Sequence, residues 1–165
     1  MATRVVHLKK EKFDINIGRP SPFGNPYSYK DGTLAKYKVA TREEAVIKYE
    51  EYILGNIKLL SYLRDLHNKI LGCWCKPLAC HGDILAKLAD LPNFPQYCFL
   101  LDQMLEARNF GLEDVEDKLL DEMDEVWNKM TTEEHEYAKK VSKLIDWRTV
   151  HSSTIDSGNI NNTSS

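Results

Sequence analysis

"ILGCWCKPLACHGDIL", residues 70–85, is the stretch on which the fold turns. Its first six residues, "ILGCWC", are apolar, short and bounded by turn residues, so they read as a buried strand. "KPLA" (76–79) breaks that strand. "CHGDILAKLADL" (80–91) then takes up the helical period, with Ile84, Leu85, Leu88 and Leu91 facing inward. A second strand lies upstream. In "FDINI" (13–17), Phe13, Ile15 and Ile17 alternate with polar residues, the period of a half-buried strand. The loop after it, "GRPSPFGNP" (18–26), is broken by Gly18, Pro20, Pro22, Gly24 and Pro26. "RVVHL" (4–8) is a third short strand, and "KYKVA" (36–40) a further extended piece.

Helices join the two loops. "TREE" (41–44) is a capping box, in which the Thr41 hydroxyl accepts from the Glu44 N–H while the Glu44 side chain reaches back. Ala45, Tyr49, Tyr52 and Ile53 mark the buried face of that helix, and Gly55 suits its end. A second helix, with Leu59, Leu60, Leu63 and Leu66 on one stripe, frays near "HNK" (67–69). Strand, helices, strand is a βαβ unit, and it predicts a parallel pair with a right-handed crossover. Both strands then point the same way, so the 18–26 loop and the 76–79 loop emerge at one edge of the sheet. Ligands of open α/β sheets bind outside the carboxyl ends of the strands.

After "PNFPQ" (92–96) the chain turns wholly helical. Residues 97–107 form one helix. In 112–130 Leu112, Val115, Leu119, Met123, Val126, Trp127 and Met130 keep the spacing of a single stripe. "TTEE" (131–134) is a second capping box, opening a helix with Tyr137, Val141, Leu144 and Ile145 inside. The last two helices are expected to pair as an antiparallel hairpin. The expected architecture is a small three-layer open α/β sheet over residues 1–95, a helical extension over 96–150, and a disordered tail over 151–165.

Composition bounds the function. A hydrophobic share of 42% and a charged share of 28% are those of a globular chain. No apolar run reaches the length of a membrane span, and "MATRVVHLKKEKF" lacks the apolar stretch of a secretory signal. A cytoplasmic location, with reduced thiols, is the expectation. The net charge of −3 is unevenly spread. Residues 1–40 hold eight Lys or Arg against three Asp or Glu, whereas 113–136 hold two against eleven. The basic half suits an anionic small molecule, and the acidic helix 112–130 suits solvent or a protein partner. No Walker loop, GxGxxG, zinc-deaminase pattern or clear nucleic-acid signature is present.

Three of the four cysteines, Cys73, Cys75 and Cys80, fall within eight positions, with His81 next. The helix starting there has unpaired N–H groups and a positive dipole end, so it can hold an anion opposite Arg19, which supplies a bidentate clamp. In that reading Gly18, Ser21, Asn25 and Gly82 shape the ligand site. Cys80, at the mouth and acidified by the helix, is nucleophile or donor, with His81 and Asp83 as acid–base and orienting partners. Plainer roles stand beside these. Asp83 can simply cap its helix, Gly18 and Gly24 can serve the turn, Cys73 and Cys75 share a buried strand face, and Trp74 and Cys98 are core. No cofactor is required. The alternative is zinc held by Cys73, Cys75, Cys80 and His81. Spacing argues against it, since adjacent Cys80 and His81 should point apart from a helix start.

"INIGRPSPFGNPY", "TREEAVIKYEEYI" and "LGCWCKPLACHGDIL" together resemble a family defined only as a domain of unknown function, found in bacteriophages, large DNA viruses and some bacteria. The resemblance spans about residues 3–91 and brings no activity with it. The Cys-His helix start is also similar to a second uncharacterised family with Cys-His-Arg there; Gly82 stands in place of the Arg. The expected function is a binding domain, catalytic or not, for a phosphorylated small molecule such as a nucleotide or nucleotide sugar. The alternatives are a non-catalytic viral module that sequesters a nucleotide or docks on a host protein, and a zinc-stapled structural module.

Overall fold

The computed structural model describes residues 2–145, so the expected tail at 151–165 lies outside the described residues. Strand β1 (Arg4–His7), β2 (Ile15–Asn16) and β5 (Ile70–Cys73) form one sheet in the order β1-β5-β2, and β5 is parallel to both neighbours. The expected parallel βαβ pair is therefore present. Each strand is shorter than its apolar stretch. β5 stops at Cys73, and Trp74 lies beyond it, 53% exposed. The core position expected for Trp74 is thus incorrect, because strand alternation cannot be carried past the last ladder residue.

The segment joining β1 to β2 passes over β5, and this makes Gly72 necessary. A Cβ there would lie 2.6 Å from Leu8 Cδ2 and 2.7 Å from Phe13 Cγ. β3 (Tyr27–Ser28) and β4 (Tyr37–Lys38), the "KYKVA" piece, pair in parallel as a separate two-stranded ribbon.

Helix α1 (Arg42–Leu54) begins as its sequence predicts: Thr41 Oγ1 accepts from the Glu44 N–H at 3.1 Å. The reciprocal bond lands one residue early, with the Ala40 N–H donating to Glu44 Oε2. The single helix expected next is two short ones, α2 (Ile57–Leu60) and α3 (Leu63–Leu66). The break has a local cause. Ser61 Oγ donates back to the Lys58 carbonyl at 2.6 Å, and the Tyr62 and Asp65 N–H groups bond three residues back rather than four. Leu60, Leu63 and Leu66 still face inward and are fully buried.

Helix α4 (His81–Asp90) packs on the sheet so closely that a Cβ on Gly82 would sit 2.7 Å from Ile17 Cδ1. Helix α5 (Phe94–Asn109) closes the core with Phe94, Cys98, Leu101 and Met104, which bears out Cys98 as packing. The C-terminal hairpin is formed by α5 and α6 (Glu113–Lys129), not by α6 and α7 (Thr132–Leu144). Gly111, at φ +66°, makes the turn: the Leu112 N–H reaches the Ala107 carbonyl and the Gly111 N–H that of Arg108, the two bonds of a Schellman motif. Met130 is extended, so α7 leaves α6 and returns to α1 and α5. Among the described residues no helix is long and apolar enough to cross a membrane.

Candidate functional site

The carboxyl ends of β2 and β5 open onto a cavity of about 440 Å³. Residues from four segments meet there: Gly18, Arg19 and Asn25 from the first loop, Tyr27, Tyr29 and Lys30 from β3 and the turn after it, Arg42 and Ala45 from the start of α1, and 73–81 from the second loop. The βαβ geometry thus brings together the two loops that the sequence singles out. It also brings in Arg42, which the sequence reading treated only as part of a capping box. An Arg at the first position of a capped helix, next to a parallel strand pair, was the signal available.

Four cationic side chains line the cavity: Arg19, Lys30, Arg42 and Lys76. Among the described residues no carboxylate does. Arg42 donates to the Tyr29 hydroxyl at 2.9 Å and lies over the Tyr29 ring. Arg19 donates from Nη1 to the Asn25 carbonyl at 2.9 Å, closing its own loop. Lys76 is paired with Asp83. Trp74 borders the cavity with its indole against Gly18, where a Cβ would come within 3.0 Å of Trp74 Cδ1. Gly18 is therefore needed for the close approach of that ring.

Other expected site residues serve the scaffold. Asn25 is buried with both ends engaged: Nδ2 donates to the Ala45 carbonyl and Oδ1 accepts from the Tyr27 N–H. Ser21 Oγ accepts from the Phe23 N–H, and Ser21 does not line the cavity. Gly82 and Asp83 are also outside the lining. Gly82 is a packing glycine, as its contact with Ile17 requires, and Asp83 is the helix cap of the plainer reading, accepting from the Cys80 N–H at 3.2 Å. The Gly82 and Asp83 N–H groups are taken by Cys80 Sγ and the Cys80 carbonyl, so the end of α4 is already capped.

Cys80 departs furthest from expectation. It is not at a mouth but 1% exposed, its Sγ 2.9 Å from Cys73 Sγ. Its thiol is pushed well up, first by hydrogen bonding with Cys73 and Cys75 and then by burial. The proton-poor sulfur is Cys75, whose pKa is lowered mainly by hydrogen bonds from Cys73 and Cys80, with His81 and Arg42 adding to the effect. Cys75 is half-buried and lines the cavity. His81 is buried against the Tyr49 ring, and burial lowers its pKa. Its Nε2 is 2.8 Å from the Ile17 carbonyl, a bond that requires the Nε2–H tautomer and leaves Nδ1 bare. Nδ1 lies 3.6 Å from Cys80 Sγ and 3.9 Å from Cys73 Sγ.

Cys80 and His81 converge because Cys80 is not helical. As N-cap it is extended (φ −141°, ψ 145°), so the angular step between neighbours on a helix does not apply to the pair. The donor atoms of Cys73, Cys80 and His81 all lie within 4.8 Å of one another, and such a group could hold a metal ion.

Fold and site together define a small α/β domain with a cation-lined cavity at the carboxyl edge of a parallel sheet. The chain belongs to the family described as "Domain of unknown function (DUF4326)", which matches residues 3–91. It is 36% identical over 91 residues to the "Uncharacterized 12.4 kDa protein in nrdA-td intergenic region" of Enterobacteria phage T4, covering 53% of this chain and 77% of that protein. No solved structure matches.

Proposed function

We propose that this domain binds a phosphorylated small molecule, a nucleotide or nucleotide sugar, in the cavity above β2 and β5. One observation carries the reading: Arg19, Lys30, Arg42 and Lys76 surround one cavity that no carboxylate lines among the described residues. Of the four, only Lys76 has a carboxylate partner in an ion pair among those residues, Asp83; like charges gathered around one cavity raise the energy of the empty site, and an anion relieves it. Guanidinium groups suit phosphate oxygens through paired N–H donors. Trp74, 53% exposed, lines the same cavity, and its indole suits contact with the ring of a base. The volume falls in the range of small-molecule sites.

Binding without chemistry is the form of the proposal. The nucleophile expected from the sequence, Cys80, is buried with its thiol held protonated, which speaks against attack on a ligand in the cavity. Isothermal titration with pyrophosphate, a nucleoside monophosphate and a nucleotide sugar tests the reading. A charge-assisted hydrogen bond contributes about 1.5–3 kcal/mol, so Arg42→Ala should weaken binding by roughly tenfold to a hundredfold, with Arg42→Lys in between. Absence of binding by all three probes, or affinities equal in wild type and Arg42→Ala, would overturn it.

A further inference from the structure

Anion binding leaves the buried Cys-His cluster without a purpose. We propose that Cys73, Cys80 and His81 hold a zinc ion, with Cys75 as the fourth ligand on the cavity side, and that the ion staples the end of β5, the 74–79 loop and the cap of α4 into one cavity floor.

The donor set comes first. Zinc takes thiolate sulfur at about 2.3 Å and imidazole nitrogen at about 2.0–2.1 Å in a tetrahedron, which sets sulfur–nitrogen separations near ~3.6 Å and sulfur–sulfur separations near ~3.8 Å. His81 Nδ1 is 3.6 Å from Cys80 Sγ and 3.9 Å from Cys73 Sγ. The two sulfurs, at 2.9 Å, must part by a side-chain rotation as the ion enters. Cys75 Sγ lies outside that group of three donors but borders the same cavity, so its side chain must turn inward to complete the tetrahedron.

The surroundings come second. A zinc-bound histidine characteristically donates its other ring N–H to a carbonyl or carboxylate, which fixes the tautomer. His81 does this to the Ile17 carbonyl at 2.8 Å. The Gly82 N–H points at Cys80 Sγ from 3.3 Å, a donor that stabilises a coordinated thiolate. Three thiolates and a divalent ion leave one negative charge, and Arg42 stands beside Cys75 to meet it. Cys98, equally buried but apart from this group, shows what a packing cysteine looks like in the same core.

The proposal does not depend on what fills the cavity above. The test uses the full chain, purified with mild reductant. Elemental analysis should give one zinc per chain, and cobalt in its place should show thiolate charge-transfer bands and the intense visible bands of a tetrahedral site. Cys73→Ser and Cys80→Ser should lose the metal, Cys98→Ser should keep it, and Cys75→Ser should bind it at least about tenfold more weakly. A variant that fails to fold does not spoil the test, because metal content and the cobalt spectrum are read on wild type. A wild-type chain that takes up neither ion after loading overturns the proposal. So does a Cys73–Cys80 disulfide in freshly reduced, metal-loaded protein, or undiminished metal in folded Cys80→Ser.

Discussion

Glu134 is the residue whose replacement tests the packing of the C-terminal helices most sharply. It is fully buried, 0% exposed, at the start of α7. Its carboxylate does more than complete the capping box with Thr131. Oε1 accepts from the backbone N–H groups of Asn93 at 2.6 Å and Phe94 at 2.8 Å, while Oε2 accepts from the Thr131 N–H at 2.8 Å and Asn93 Nδ2 at 3.2 Å. Glu134→Gln keeps the shape but turns one oxygen into an NH2 group, which faces two donors and can accept from neither. Two charge-assisted bonds at about 1.5–3 kcal/mol each give a loss of roughly 3–6 kcal/mol. For a chain of this size that lowers Tm by about 6–24 °C. The loss should also depend on pH. Burial alone would raise the Glu134 pKa, but the N–H donors of Thr131, Asn93 and Phe94 outweigh it and hold the carboxyl below its ordinary value. A depressed folded pKa gives stability that is fully present above the unfolded carboxylate value of about 4.3 and is lost as pH falls through the folded one. The gap between wild type and Glu134→Gln should therefore be full at neutral pH and narrow in acid. Differential scanning calorimetry from neutral to acid pH measures it. A Tm within about 2 °C of wild type at neutral pH, or a gap that widens in acid, would refute the reasoning.

Gly82→Ala should destabilise the fold by about 1–2 kcal/mol, since the overpacking against Ile17 and Val5 exceeds the gain in helix propensity. Pyrophosphate affinity, by titration calorimetry, should not change. A chain ending at Pro92 should not fold, as judged by near-UV circular dichroism, because α5 supplies Phe94, Cys98, Leu101, Met104 and Leu105 to the core. At about 1.5–3 kcal/mol per buried side chain, their removal equals the whole stability of an ordinary domain.

The sequence made the parallel βαβ unit legible because its two punctuated loops, at Gly18–Pro26 and Lys76–Ala79, each follow an apolar stretch. Parallel geometry alone then puts Arg19 and the 73–81 segment at one edge. What stayed hidden depended on where elements stop. Trp74 was assigned to the core by alternation, but β5 ends one residue before it. Cys80 and His81 were read as diverging, and Cys80 as exposed, because the cap was counted as helix; its extended backbone sends the sulfur inward. The hairpin partner of α6 was misread because α6 has one apolar stripe and two neighbours in sequence. Gly111 and the reach of Glu134 to α5 decide between them, and the second is a contact across 41 and 40 residues that no local pattern carries.

The central claim is that the first loop, the start of α1 and the second loop form one anion site. Titration of isotope-labelled protein with pyrophosphate, followed by amide NMR, tests it directly. Saturable shifts confined to Gly18, Arg19, Arg42, Cys75 and Lys76 and their neighbours, with α6 silent, are the predicted result. Shifts that gather elsewhere, or that never saturate at any of these amides, would contradict the account.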